Sequence, residues 1–65
     1  MINNIELEMA MQDFLLTRYY LKIVEWYKVW KDGYLVCGRD HSKRLAIFYV
    51  YLDNQDKWHA IEQFI

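Results

Sequence analysis

The stretch YYLKIVEWYKVWKDGYLVCGR, residues 19–39, decides the architecture. Asp32-Gly33 stands between two runs dominated by tyrosine, tryptophan, valine and isoleucine, residue types that fit a pleated, half-buried surface. Asp-Gly supplies the positive φ angles that a tight type I′ turn demands, so the spacing predicts a β-hairpin of strands at about 19–31 and 34–39. A two-residue loop of this kind sets a register. Lys31 faces Tyr34, Trp30 faces Leu35, Val29 faces Val36, Lys28 faces Cys37, Tyr27 faces Gly38 and Trp26 faces Arg39. A competing reading makes residues 4–31 largely helical, because Leu16, Tyr19, Tyr20, Ile23, Val24, Tyr27 and Trp30 also keep a helical stripe, with Arg18, Lys22 and Glu25 opposite. The density of aromatic and β-branched residues favours the strand.

Alternation then sorts the hairpin's side chains. Leu21, Ile23, Tyr27, Val29 and Val36 point one way and form a core face, interrupted by Glu25. Lys22, Trp26, Lys28, Trp30, Leu35, Cys37 and Arg39 point the other way, as a face of tryptophans interleaved with cations. Arg39 beside Trp26, and Lys28 between the two tryptophans, are placed for cation-π contacts. Tyr27 opposite Gly38 would cover a position without a side chain.

Toward the N-terminus, Asn3 followed three residues later by Glu6 resembles a capping box and starts a helix over about 4–17. Leu7, Ala10, Met11, Phe14 and Leu15 fall on one stripe of that helix; the alternative is a strand, since Ile5, Leu7, Met9 and Met11 alternate. Toward the C-terminus, LAIFYVYL at 45–52 is apolar on both faces and reads as a central, doubly covered strand. The tail keeps both helical and alternating spacings, and a strand at about 57–62 closes an antiparallel meander of three to four strands. The expected fold is α+β: a single domain over 1–65, with an N-terminal helix packed on a small antiparallel sheet.

Sixty-five residues offer little interior, yet 55% of them are hydrophobic and 18% aromatic, so large apolar side chains must remain outside or enter an interface with a second copy or another protein, and a homodimer is expected beside a protein partner. The net charge of −1 argues against a strongly basic nucleic-acid binder. Its distribution is uneven. Residues 1–17 hold three acids and no base, residues 18–44 hold seven bases and three acids, and residues 45–65 hold three acids and one base. Cys37 is the lone cysteine and allows no intrachain disulfide, which suits a reducing cytosol. The first residues lack a signal-peptide pattern and no apolar run approaches a membrane span, so a cytoplasmic protein without membrane attachment is expected.

Catalytic and metal chemistry find little support. Cys37 with His41 or His59, and Asp40 as orienter, provides the residue types of a thiol nucleophile, but no spacing supplies a base and an oxyanion site. The same side chains lack the paired spacing of a zinc site. Gly33 and Gly38 belong to no phosphate-binding loop, and Asp53 with Asp56 lacks the glycine and closing glutamate of a calcium loop. No catalytic residue, metal or cofactor is therefore expected.

The aromatic and cationic face remains. Trp26, Trp30, Lys28, Lys22, Arg39 and Leu35 are the expected partner-binding residues, tryptophan and arginine being typical anchors of protein interfaces. The expected function is a small non-enzymatic protein-protein interaction module, an inhibitor or regulator of a larger protein or complex. A phage or mobile-element product acting on a host enzyme or defence system would suit that description. The alternative is a single-stranded nucleic-acid binder that stacks bases on the same face, with Lys43 and Arg44 on phosphates.

Overall fold

A computed structural model describes residues 4–64. The chain forms α1 (Asn4–Thr17), β1 (Ile23–Trp30), β2 (Gly33–Arg39), β3 (Leu45–Leu52) and β4 (Trp58–Gln63). The strands pair in sequence order, β1-β2-β3-β4, all antiparallel, and α1 lies across one face. This is the α+β arrangement expected from the sequence. The Asn3 half of the capping box lies outside the described residues.

Residues 19–22, read as strand, belong instead to the end of the helix and the turn that follows. The Tyr20 amide donates to the Leu15 carbonyl and the Tyr19 amide to the Leu16 carbonyl, while Tyr19 takes a φ of 65°. These two bonds around a left-handed residue are the Schellman closure, in which glycine is the usual occupant. Here a tyrosine fills it, so no glycine or asparagine marks the helix stop. Tyr20 then packs its ring 5.6 Å from that of Phe14, the apolar contact that accompanies this cap.

The hairpin forms, but with a different turn. Its two loop residues are Lys31 and Asp32, and Trp30 pairs with Gly33. The expected Lys31–Tyr34 pair is absent and the other pairs are displaced by two residues on β2: Val29 faces Tyr34, Lys28 faces Leu35, Tyr27 faces Val36 and Trp26 faces Cys37. Lys31, with φ at 54°, is the loop's one left-handed residue, so the turn is not of type I′. Gly33 lies within β2, where a Cβ would run into the Val50 carbonyl oxygen. It is needed for close approach of β3, not for the turn.

A β-bulge at Glu25 corrects the expected faces again. The register breaks between Val24 and Trp26, after which Val24 pairs with Gly38 and Ile23 with Arg39. One extra residue reverses the alternation. Val24 turns toward the helix, Ile23 turns away and is 53% exposed, and Glu25 leaves the core face to pair with Arg39 at 3.5 Å. Tyr27 does not cover Gly38. Leu21 does, with its Cδ1 where a Cβ at that position would have to go. Val29 keeps the expected side but lies on the edge strand beyond the helix and is 71% exposed.

The two remaining connections share one construction. Asp40 Oδ1 accepts the amides of Ser42 and Arg44, and Asp53 Oδ1 accepts those of Gln55 and Lys57. Each loop spans three residues and ends in a left-handed residue, Lys43 (φ 67°) or Asp56 (φ 59°), the common three-residue hairpin. The shared Asp-x-x-x-basic spacing therefore fixes the register of β2 with β3 and of β3 with β4.

Met11, Leu15 and Leu21 meet Tyr34, Val36, Phe48 and Val50 to make the core, flanked by Leu7, Phe14, Val24, Tyr27, Ala46, Trp58 and Ala60. Ala10, expected on the buried stripe, is exposed on the flank of α1. Ile5, Met9 and Leu16 form a second apolar stripe that faces water. Among the described residues no helix is long and apolar enough to cross a membrane.

Candidate interaction surface

Alternation from the core residues assigns the other face of the sheet: Ile23, Trp26, Lys28 and Trp30 from β1, Leu35, Cys37 and Arg39 from β2, Leu45, Ile47, Tyr49 and Tyr51 from β3, His59 and Ile61 from β4. Among the described residues no element covers it. Trp26 is 45% exposed, and Ile23, Leu45 and Ile61 are about equally open to water. Five of the six expected partner-binding residues, Trp26, Trp30, Lys28, Arg39 and Leu35, stand together here. Lys22 lies just ahead of β1, exposed, its amide bonded to the Arg39 carbonyl.

The face holds itself in place by aromatic contacts along β3 and across to β1 and β4. Trp30 meets Tyr49 edge-on at 5.4 Å, Tyr49 stacks on Tyr51 at 5.3 Å, and Tyr51 stacks on His59 at 5.1 Å. Such geometries follow from the ring quadrupole and fix side chains that the core does not grip. The cation over Trp30 is Lys31, with Nζ 4.2 Å from the ring centroid, and not Lys28; Arg39 is engaged by Glu25. Lys22 and Lys28 make no ion pair among the described residues.

His59 ends the ladder on Asp53, Nε2 to Oδ2 at 2.7 Å. This bond, joined by the amides of Lys57 and Gln55, lowers the Asp53 carboxyl to about 2. The carboxylate thus ties the β3–β4 loop and the histidine to one anchor. Tyr49, Tyr51 and His59 were not assigned to the face from sequence, since residues 45–52 are apolar throughout and carry no alternation. The repeated Asp-x-x-x-basic loop is the signal that would have placed them.

The candidates for chemistry do not converge. Burial pushes the Cys37 thiol up, and the Glu25 carboxylate adds to the shift against a smaller opposing effect of Arg39. That is the reverse of what a nucleophilic thiol needs. His41 sits on the β2–β3 loop with its ring 5.7 Å from that of Tyr19, while His59 belongs to the opposite end of the sheet. Among the described residues no three His, Cys, Asp or Glu side chains are grouped to hold a metal. Lys43 and Arg44, the expected phosphate contacts, are exposed on the β2–β3 loop, away from Trp30 and the stacked tyrosines.

On the helix side, an open groove of about 380 Å³ lies between Leu7 and Glu8 of α1 and Val29, Tyr34 and the β1–β2 turn. Tyr27 Oη donates to Glu8 at 3.1 Å beside it, which raises the phenol's pKa, burial adding to the effect. Comparison with known protein families, with curated proteins and with solved structures finds no match.

Proposed function

We propose that the chain is a non-enzymatic binding module that docks a protein partner on the uncovered sheet face. The observation that carries this reading is the sidedness of the molecule: one helix serves a two-faced apolar sheet, and the second face keeps Trp26, Ile23, Leu45 and Ile61 in water. Four strands about 4.8 Å apart and on average about 24 Å long give a footprint of about 460 Å² before side-chain relief is added. This is the scale of the roughly 800 Å² that each partner contributes to a standard interface. The ammonium groups of Lys22 and Lys28 at its border, which make no ion pair among the described residues, favour a partner whose apolar patch is edged by carboxylates. A cytoplasmic inhibitor or regulator of a larger assembly, encoded by a phage or mobile element, is the concrete version of this proposal.

The nucleic-acid reading is weaker on one specific ground. Tyr49, Tyr51 and His59 turn their π faces to one another, which leaves Trp26 as an exposed ring outside that stack for a base to lie on. The test is the double variant Trp26→Ala/Trp30→Ala, probed by co-purification from cells and by circular dichroism. Loss of every captured protein with an unchanged fold supports the proposal; an undiminished set of captured proteins overturns it.

A further inference from the structure

We infer that the free edge of β4 pairs with β4 of a second copy, antiparallel about a two-fold axis at Ile61, to give one continuous eight-stranded sheet. The two edges of the sheet are built differently. β1 carries the Glu25 bulge and Lys28 along its length, whereas a lysine next to the strand, Lys31 or Lys57, is common to both edges. Bulges and lysines are the devices by which a sheet keeps an edge from templating another strand. β4 runs from Trp58 to Gln63 without a register break and contains no lysine, arginine or proline.

The unpaired groups on that edge can be located. The Asp53 amide donates to the Lys57 carbonyl, and alternation from this bond turns the N–H and C=O groups of Trp58, Ala60 and Glu62 away from β3. A two-fold axis normal to the sheet keeps both helices on one side, so residues that oppose each other must belong to the same face. Centring the axis on Glu62 would set two carboxylates directly opposite. Centring it on Ala60 would leave Phe64, which is 86% exposed, beyond the paired strands.

Centring on Ile61 sets Ala60 against Glu62 of the partner subunit as a hydrogen-bonded pair, and lays Trp58 beside Phe64 of the partner subunit. Ile61 meets Ile61 of the partner subunit as a non-hydrogen-bonded pair. The two Glu62 carboxylates then stand diagonally, in water. This pairing uses the edge and leaves the aromatic faces of both copies side by side and uncovered, so it stands or falls independently of the proposed docking site.

Sedimentation of the untagged chain over a hundredfold concentration range should show a monomer–dimer equilibrium. Ala60→Pro removes an outward amide and no bond to β3, and should give a monomer with the β signature retained. Glu62→Gln should tighten the dimer several-fold. On a Cys37→Ser background, Ile61→Cys should cross-link under mild oxidation, because Cα atoms of such a pair lie about 4.5 Å apart, within disulfide range. Val29→Cys on the other edge should not, and this contrast decides the question if Ala60→Pro fails to fold. A chain monomeric at every concentration overturns the inference. So does a dimer that survives Ala60→Pro and is dispersed by Trp26→Glu, which would put the two-fold axis on the aromatic face.

Discussion

On the helix side of the sheet, Val36 and Val50 meet Met11, Leu15 and Leu21 and are sealed from water. Their neighbours along the same strands, Leu35, Tyr49 and Tyr51, point the other way and are only half-buried. Both sets are dominated by apolar surface, tyrosine adding only a terminal hydroxyl, so the difference comes chiefly from the second layer. A covered face is held by non-directional packing, whereas the uncovered face is held by a line of ring contacts ending on a carboxylate.

The comparison predicts unequal costs for equal truncations. Leu15→Ala, at a fully buried position, should destabilise by about 2–5 kcal/mol in urea unfolding, and Leu35→Ala by about 1 kcal/mol or less. Equal losses would mean that the open face is covered in solution, as by a second copy. Trp30→Ala removes the edge contact with Tyr49 and the Lys31 ammonium over the ring, and should cost about 1 kcal/mol. A loss as large as that of Leu15→Ala would erase the distinction between the faces.

The smallest effect concerns acid. The Asp53 carboxyl is lowered in the folded chain, so its contribution to stability is present above the unfolded value of about 4 and is lost as pH falls toward 2. Asp53→Asn should flatten the acid limb of the stability profile in that window. An unaltered acid limb would show that the histidine contact does not persist in solution.

Much of the architecture was legible, for identifiable reasons. A helix with an apolar stripe, a hairpin at Asp-Gly and a doubly apolar third strand are patterns that local physics writes into sequence, and each appears. What escaped was register. Asp32-Gly33 marks a turn, but the glycine was wanted one step later, where β3 crowds it. The bulge has a weak trace, since Glu25 is the one charge in the expected core face, and moving it out requires the extra residue. The helix stop has none, because Tyr19 takes a left-handed conformation that L side chains adopt at a cost. For the site, Trp26 and Trp30 were assigned by alternation alone. The tyrosines and His59 needed the register of β3 with its neighbours, whose trace in the sequence is the repeated Asp-x-x-x-basic loop.

Each strand pairs with the one that follows it, across loops of two or three residues. Such local pairing closes small loops first and belongs to chains that fold in milliseconds or faster, each hairpin forming in about 1–10 µs. The stack of Phe14 on Trp58, with centroids 6.4 Å apart, joins the first element to the last. Bringing those two rings together closes a loop over most of the chain, and that step is expected to set the folding rate.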